Sequence, residues 1–245
     1  MSHPTVLLLC GVLVLLGGVV RGYSGFGASM VWVASLSLAY PPALVVPAVL
    51  ILEVLASVLL ARSAWRDVEW RSVRWLLAST LLLTPLGVLL LEVVPERPMR
   101  LAVGAAIVIG TLALALGKRR NGAPSRRASV LAGSVSGVVN GATGIGGPPA
   151  TILYFAGDDI HVGRSTLIMY FLATDATAVM VMAVRGLVDV SVVRMAAVLM
   201  PLALGGAWLG KLLYQRIGVR GFRPFVLTVL GVLGLATLAR AVLVG

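Results

Sequence analysis

The sequence predicts an all-α polytopic membrane protein made of two inverted-topology repeats, each a glycine-broken helical hairpin followed by three transmembrane helices. Three observations predict it. The 245 residues are 59 % hydrophobic and 12 % charged, against about 25 % charged in soluble domains, and so few polar residues could not cover a soluble core. Apolar runs of about 20 residues recur along the chain, the length that crosses a hydrocarbon core about 30 Å thick. One glycine motif also occurs twice, at an offset of 119 residues.

The first repeat (1–117) opens with an apolar stretch, 4–39, broken by Gly22-Tyr-Ser-Gly-Phe-Gly-Ala28. No basic segment precedes this stretch and no small-residue cleavage site follows residues 1–20, so it reads as retained structure. Runs at 41–61, 73–94 and 98–116 are full spans. A basic linker, 118–127, leads to the second repeat (128–245). There the stretch 128–157 is broken by Gly141-Ala-Thr-Gly-Ile-Gly-Gly147, and runs follow at 165–184, 191–213 and 222–243. Glycines 22, 25 and 27 fall on 141, 144 and 146, and Ser24 falls on Thr143. Arg66 meets Arg185 and Ser72 meets Ser191 at the same offset, while Leu86-Gly87 matches Leu209-Gly210 after a small insertion. Residues 128–140 rise only about 20 Å at about 1.5 Å per residue. That is short of a crossing, so a hairpin entering and leaving on one side is expected, its glycine tip near the midplane. Gly133, Gly137 and Gly141 also form a small-residue ladder suited to close helix packing.

Charge placement fixes the orientation. With a hairpin and three spans per repeat, the loops 62–74, 117–127, 157–164 and 211–223 share one side and hold 14 of the 20 Lys and Arg. The other side receives Arg97, Arg100, Arg185, Arg194 and Arg240. This bias marks the first set as cytoplasmic and the repeats as inverted. Trp65, Trp70 and Trp75 cluster there as interfacial anchors. The net charge of +11 is thus topological; no basic face on a soluble fold calls for nucleic acid.

Inverted repeats with broken helices belong to secondary transporters, whose sites form where the breaks leave backbone groups unpaired inside protein. A helix beginning at Gly144-Ile-Gly-Gly-Pro-Pro149 tolerates proline in its first turn. Its N-terminus presents N–H donors and partial positive charge to an anion. The candidate anion-binding set is therefore Arg21, Ser24, Gly25 and Gly27 from the first copy, with Asn140, Thr143, Gly144, Gly146, Gly147 and Pro148 from the second. Arg21 aligns with Asn140, and each can donate to an anion; interfacial snorkelling is the other reading of Arg21. Of nine acidic residues only Glu53 and Asp175 lie well inside predicted spans. They are the proton-coupling candidates, the alternative being buried carboxyls bonded to a neighbouring helix. Both tips are expected to line one central cavity with these carboxylates close by.

Other features point elsewhere only weakly. Two histidines and Cys10, which sits in an apolar run, do not make a transition-metal site, and no cofactor is expected. His161 reads as part of a solvated acidic loop with Asp158 and Asp159. Gly22-Tyr-Ser-Gly25 fits the G-x-S-G of rhomboid-type intramembrane serine proteases, but no span holds the histidine that would activate the serine, so no enzyme is expected. An anion channel and a membrane scaffold subunit remain as alternatives to a carrier.

With two related halves, a glycine-rich break opening each, a basic central loop, and above all Gly141-Ala-Thr-Gly-Ile-Gly-Gly-Pro-Pro149, nearly the whole chain resembles the sulfite exporter TauE/SafE family, the TSUP transporters. The first copy departs from the expected glycine run at Ala28 and Ser29. The resemblance implies a multi-pass carrier of the bacterial cytoplasmic (inner) membrane for small sulfur-containing or organic anions such as sulfite or sulfoacetate. Export is the activity attached to the family name, and some relatives are associated with uptake. The partners called for are a small anionic substrate and the lipid bilayer, with a coupling proton or cation and a homodimeric partner as open options.

Overall fold

The computed structural model describes residues 3–37, 39–116, 124–154 and 160–217. Every regular element among them is helical: α1 (His3–Ser24), α2 (Ala28–Leu36), α3 (Pro42–Ala64) with a 3₁₀ turn at Trp65–Asp67, α4 (Trp70–Val93), α5 (Glu96–Leu116), α6 (Arg126–Thr143), α7 (Gly147–Tyr154), α8 (Ile160–Val184) and α9 (Val190–Ile217). Among the described residues, four helices are long and apolar enough to cross a membrane, over Pro42–Asp67, Val73–Val93, His161–Val184 and Val190–Arg216. Large apolar side chains such as Leu82, Leu131, Val184 and Val198 stand exposed around the bundle, where a lipid phase would solvate them. The 118–127 linker apart from its last residues, the pair Asp158 and Asp159, the run 222–243 and Arg240 lie outside the described residues.

Local chemistry sets the helix boundaries. Pro42 occupies the first turn of α3 behind an extended Pro41, Ser125 caps α6 by accepting the Ala128 N–H, and Asp189 accepts the Val192 N–H at the start of α9. These side chains satisfy amides that no helical carbonyl reaches. The two breaks are glycine turns. Gly25 and Gly144 both take positive φ, at 81° and 70°, where a Cβ would clash. The pair 27 and 146 diverges: Gly27 is left-handed, whereas Gly146 is required for space, since a Cβ there would lie 2.4 Å from that of Asn140.

The first arm of the second hairpin is longer than the stretch 128–140 suggests. At about 1.5 Å per residue the 22 residues of α1 rise about 33 Å and the 18 of α6 about 27 Å. Each arm lies along a full span of the other half: α1 on α9 and α6 on α4. Glycines permit this approach. A Cβ on Gly22 would sit 1.9 Å from the Ala207 carbonyl oxygen, and one on Gly141 would sit 2.4 Å from that of Thr84. From the opposite helices, a Cβ on Gly210 would sit 2.1 Å from the Val19 carbonyl oxygen and one on Gly87 would sit 2.2 Å from that of Val138. The ladder Gly133, Gly137, Gly141 is thus a packing seam against Leu76, Thr80 and Thr84. Lipid tails are as apolar as leucine, so close contact between small residues is what holds such helices together.

At the centre α3 and α8 run antiparallel. Val46 and Leu50 pack with Ala178 and Met182 at one end, Leu60 and Ala64 with Ile168 and Met169 at the other. Glu53 and Asp175 therefore lie between two apolar contacts, on facing helices. Around the 62–74 segment, Trp65 and Trp70 make an edge contact at 5.1 Å, and Arg126 stacks 3.9 Å over Trp75. These are amphipathic groups of the kind that anchor a helix end.

Candidate functional site

Where the two glycine turns approach the central helices, charge is buried. Arg21, Glu53, Asn140 and Asp175 are each 3 % exposed or less. Arg21 is the last cation of α1, one turn before the break. Its guanidinium lies 3.0 Å from the Glu53 carboxylate, donates to the Gly25 carbonyl at 2.6 Å, and donates to the Ser57 hydroxyl. It also lies 5.0 Å from the centre of the Phe171 ring. A snorkelling arginine would reach for water; this one points into protein, so the interfacial reading of Arg21 does not hold. The other Glu53 oxygen accepts the Ser29 N–H at 2.7 Å.

The second turn is tied down in the same way by uncharged chemistry. Asn140 accepts the Gly146 N–H at 3.1 Å through its carbonyl oxygen and donates to Asp175 at 2.9 Å through its amide nitrogen. Residues 21 and 140 thus do one job: each joins its own glycine turn to the carboxylate of the following full span. Ser136 adds a bond to the Gly146 carbonyl at 2.6 Å. Asp175 also feels the charges of Glu53 and Arg21, and a Cβ on Gly147 would touch Phe171 at 3.4 Å. The aromatic ring therefore stands between the second turn and the guanidinium.

The remaining sequence candidates divide. Ser24 and Thr143 share one geometry: each hydroxyl bonds back to the carbonyl four residues earlier, Val20 or Val139, and accepts the N–H two residues on. They close the turns rather than present free donors. Pro148 packs its ring where a Cβ on Gly110 of α5 would be, at 2.4 Å. Pro148 and Pro149 carry no N–H, so α7 begins with fewer donors than α2.

Two side chains escaped the sequence reading. Arg164, in the second turn of α8, was counted as a loop charge, yet it is buried and donates to the carbonyls of Tyr23 and Gly22 at 2.9 and 2.6 Å. These are otherwise orphan acceptors at the end of α1, where a cation also suits the helix dipole. Its place on the helical face of an apolar run was the available signal. His161 is not in a solvated loop: it occupies the first turn of α8, bonds Tyr214 at 2.9 Å and pairs with Asp67 at 3.2 Å. Tyr214 lies 4.2 Å beneath the Arg164 guanidinium, so this cluster joins the first hairpin to α8 and α9.

No curated protein and no solved structure matches the chain. A family model does: the one described as sulfite exporter TauE/SafE matches residues 10–237. Its members are membrane transporters and not enzymes. With glycine-broken hairpins packed against apolar spans and a buried cluster of charge where the turns meet the central helices, the chain is a multi-pass membrane transporter and belongs to the sulfite exporter TauE/SafE family.

Proposed function

We propose that this chain is a secondary transporter that carries a small sulfur-containing or organic anion, sulfite or sulfoacetate being the first candidates, across the bacterial cytoplasmic membrane by alternating access. The observation that carries this reading is the buried constellation of Arg21, Glu53, Asn140 and Asp175 beside both glycine turns. A guanidinium at the centre of an apolar bundle is costly and is suited to a compact oxyanion, which it can bind through paired donors. Each of the two central carboxylates is a proton-coupling candidate.

The inverted repeat is part of the proposal, and three relations support it. The helices that follow the two hairpins, α3 and α8, run antiparallel. The packing is reciprocal, α1 with α9 and α6 with α4. The glycine registers correspond: Gly22 against Ala207 and Lys211 answers Gly141 against Thr84 and Val88. Such an arrangement can rock one half against the other and open the same site to either side.

The test is uptake of labelled sulfite, sulfoacetate and a carboxylate control into proteoliposomes, with and without a pH gradient. Saturable, gradient-dependent entry of a sulfur anion is the expected result. Entry that rises linearly with concentration favours a channel, and no entry of any of the three removes the substrate class.

A further inference from the structure

We infer that the substrate cradle at the first glycine turn is already filled by the protein's own Glu53 carboxylate, and that an anion enters only when a proton neutralises this resident and releases it. The inference rests on the anion-carrier reading above and assigns the coupling to one of the two carboxylates.

A helix beginning at Ala28 needs an acceptor for its first amides. Gly27, at its N-cap position, has no side chain to supply one. Glu53 supplies it from α3: one oxygen accepts the Ser29 N–H at 2.7 Å, and the other lies 3.0 Å from the Arg21 guanidinium. A helix N-terminus and an arginine are the two features an incoming anion would seek, and here one carboxylate occupies both. The fit is imperfect on the cationic side. Both Arg21 Nε and the facing Glu53 oxygen are buried without a well-directed hydrogen bond, so their contact is electrostatic and leaves directed bonding capacity for an oxyanion.

The second turn has no equivalent vacancy for a substrate. Asn140 takes the Gly146 N–H and the Asp175 carboxylate together, and the second and third residues of α7 are prolines that lack amide hydrogens. Chemistry at the two breaks is therefore unequal, and the first holds the exchangeable anion.

The groups facing Glu53 are Arg21 from α1, the Ser29 amide from α2 and Asp175 from α8, with Ser57 one turn along α3. An added anion would set a second negative group beside Glu53 against one guanidinium. Protonating Glu53 removes one of them and weakens its hold on both Arg21 and the Ser29 N–H. The proton comes from the aqueous phase to which the site is open and returns to the opposite phase when the anion leaves. The balance is one proton moving with one anion.

The experiment measures equilibrium binding of labelled sulfoacetate to the full-length protein in lipid nanodiscs between pH 6 and 8, in wild type and Glu53→Gln. Sulfoacetate keeps a fixed charge over this range. Wild-type affinity should rise about tenfold for each unit of pH lowered, the slope of one linked proton. Glu53→Gln should bind with no such slope, and at pH 8 at least about tenfold more tightly than wild type. As a check that needs no variant, a pH-indicator dye in weak buffer should record uptake of about one proton per sulfoacetate bound by wild type. Binding with equal pH slopes in both proteins, or without proton uptake, overturns the inference and leaves the carrier reading standing. No binding to either protein overturns both.

Discussion

Replacing Arg21 by methionine strands the Glu53 carboxylate among apolar helices with only the Ser29 amide to answer it. At the observed 3.0 Å, the attraction between unit charges is about 5.5 kcal/mol at an effective dielectric constant of about 20. Desolvation of both ions offsets much of that in the intact pair, but a charge deprived of its partner keeps the full penalty. Breaking one side of a buried pair costs about 3–5 kcal/mol, and the bond from Arg21 to Gly25 is lost with it. Glu53→Gln breaks the same pair from the other side and strands the Arg21 guanidinium, so it should fall toward the lower end of that range, about 3 kcal/mol, because Arg21 keeps its bonds to Gly25 and Ser57 and the new amide oxygen can still accept the Ser29 N–H. The double variant removes both charges and should be more stable than the sum of the single losses by about 2 kcal/mol or more. The assay is reversible unfolding in mixed micelles by titration with a denaturing detergent, on wild type, both single variants and the pair. Additivity within about 0.5 kcal/mol would mean that the two residues do not interact, and would refute the buried pair as the anchor of the first turn.

Three further outcomes are expected. Gly141→Ala and Gly22→Ala should each destabilise by about 1–3 kcal/mol through overpacking against backbone. Gly205→Ala, with nothing within 4 Å of the new methyl, should stabilise α9 by about 0.5–1 kcal/mol; thermal unfolding of the three variants checks both signs. Arg164→Lys should not rescue the loss caused by Arg164→Ala, because a single ammonium cannot reproduce the two directed bonds to Gly22 and Tyr23. Faster amide hydrogen exchange over residues 22–29 in both variants would report the loosened turn. Asn140→Ala should lower stability by about 2–4 kcal/mol by removing the bonds to Gly146 and Asp175, and Asn140→Asp should not restore it, since a second carboxylate would face Asp175.

Much of this architecture was legible in the sequence because a membrane imposes a simple code. Apolar runs of about 20 residues give spans. The glycine repeat gave both breaks, and its pairing of Arg21 with Asn140 and of the two intramembrane acids led to residues that the fold brings together. The code fails where function depends on direction rather than residue type. Ser24 and Thr143 were marked as donors by position, yet their hydroxyls serve the turn's own backbone, a local competition that only coordinates resolve. Arg164 was hidden by its neighbours: an arginine near a helix end looks the same in sequence whether it faces headgroups or the carbonyls of a distant helix. The first arm of the second hairpin is also longer than it reads in the sequence, because α6 begins at Arg126 with a capped first turn inside what reads as linker.

The central claim is that one buried anion site is exposed to the two sides of the membrane in alternation. Trans-stimulation tests it most directly. Proteoliposomes are preloaded with unlabelled sulfoacetate, or left empty, and the initial entry of labelled sulfoacetate is followed. A carrier predicts faster entry into the preloaded vesicles, because the loaded site returns across the membrane more readily than the empty one, and loss of that acceleration in Arg21→Met. Entry that is equally fast into empty and preloaded vesicles, and that does not saturate, would contradict alternating access.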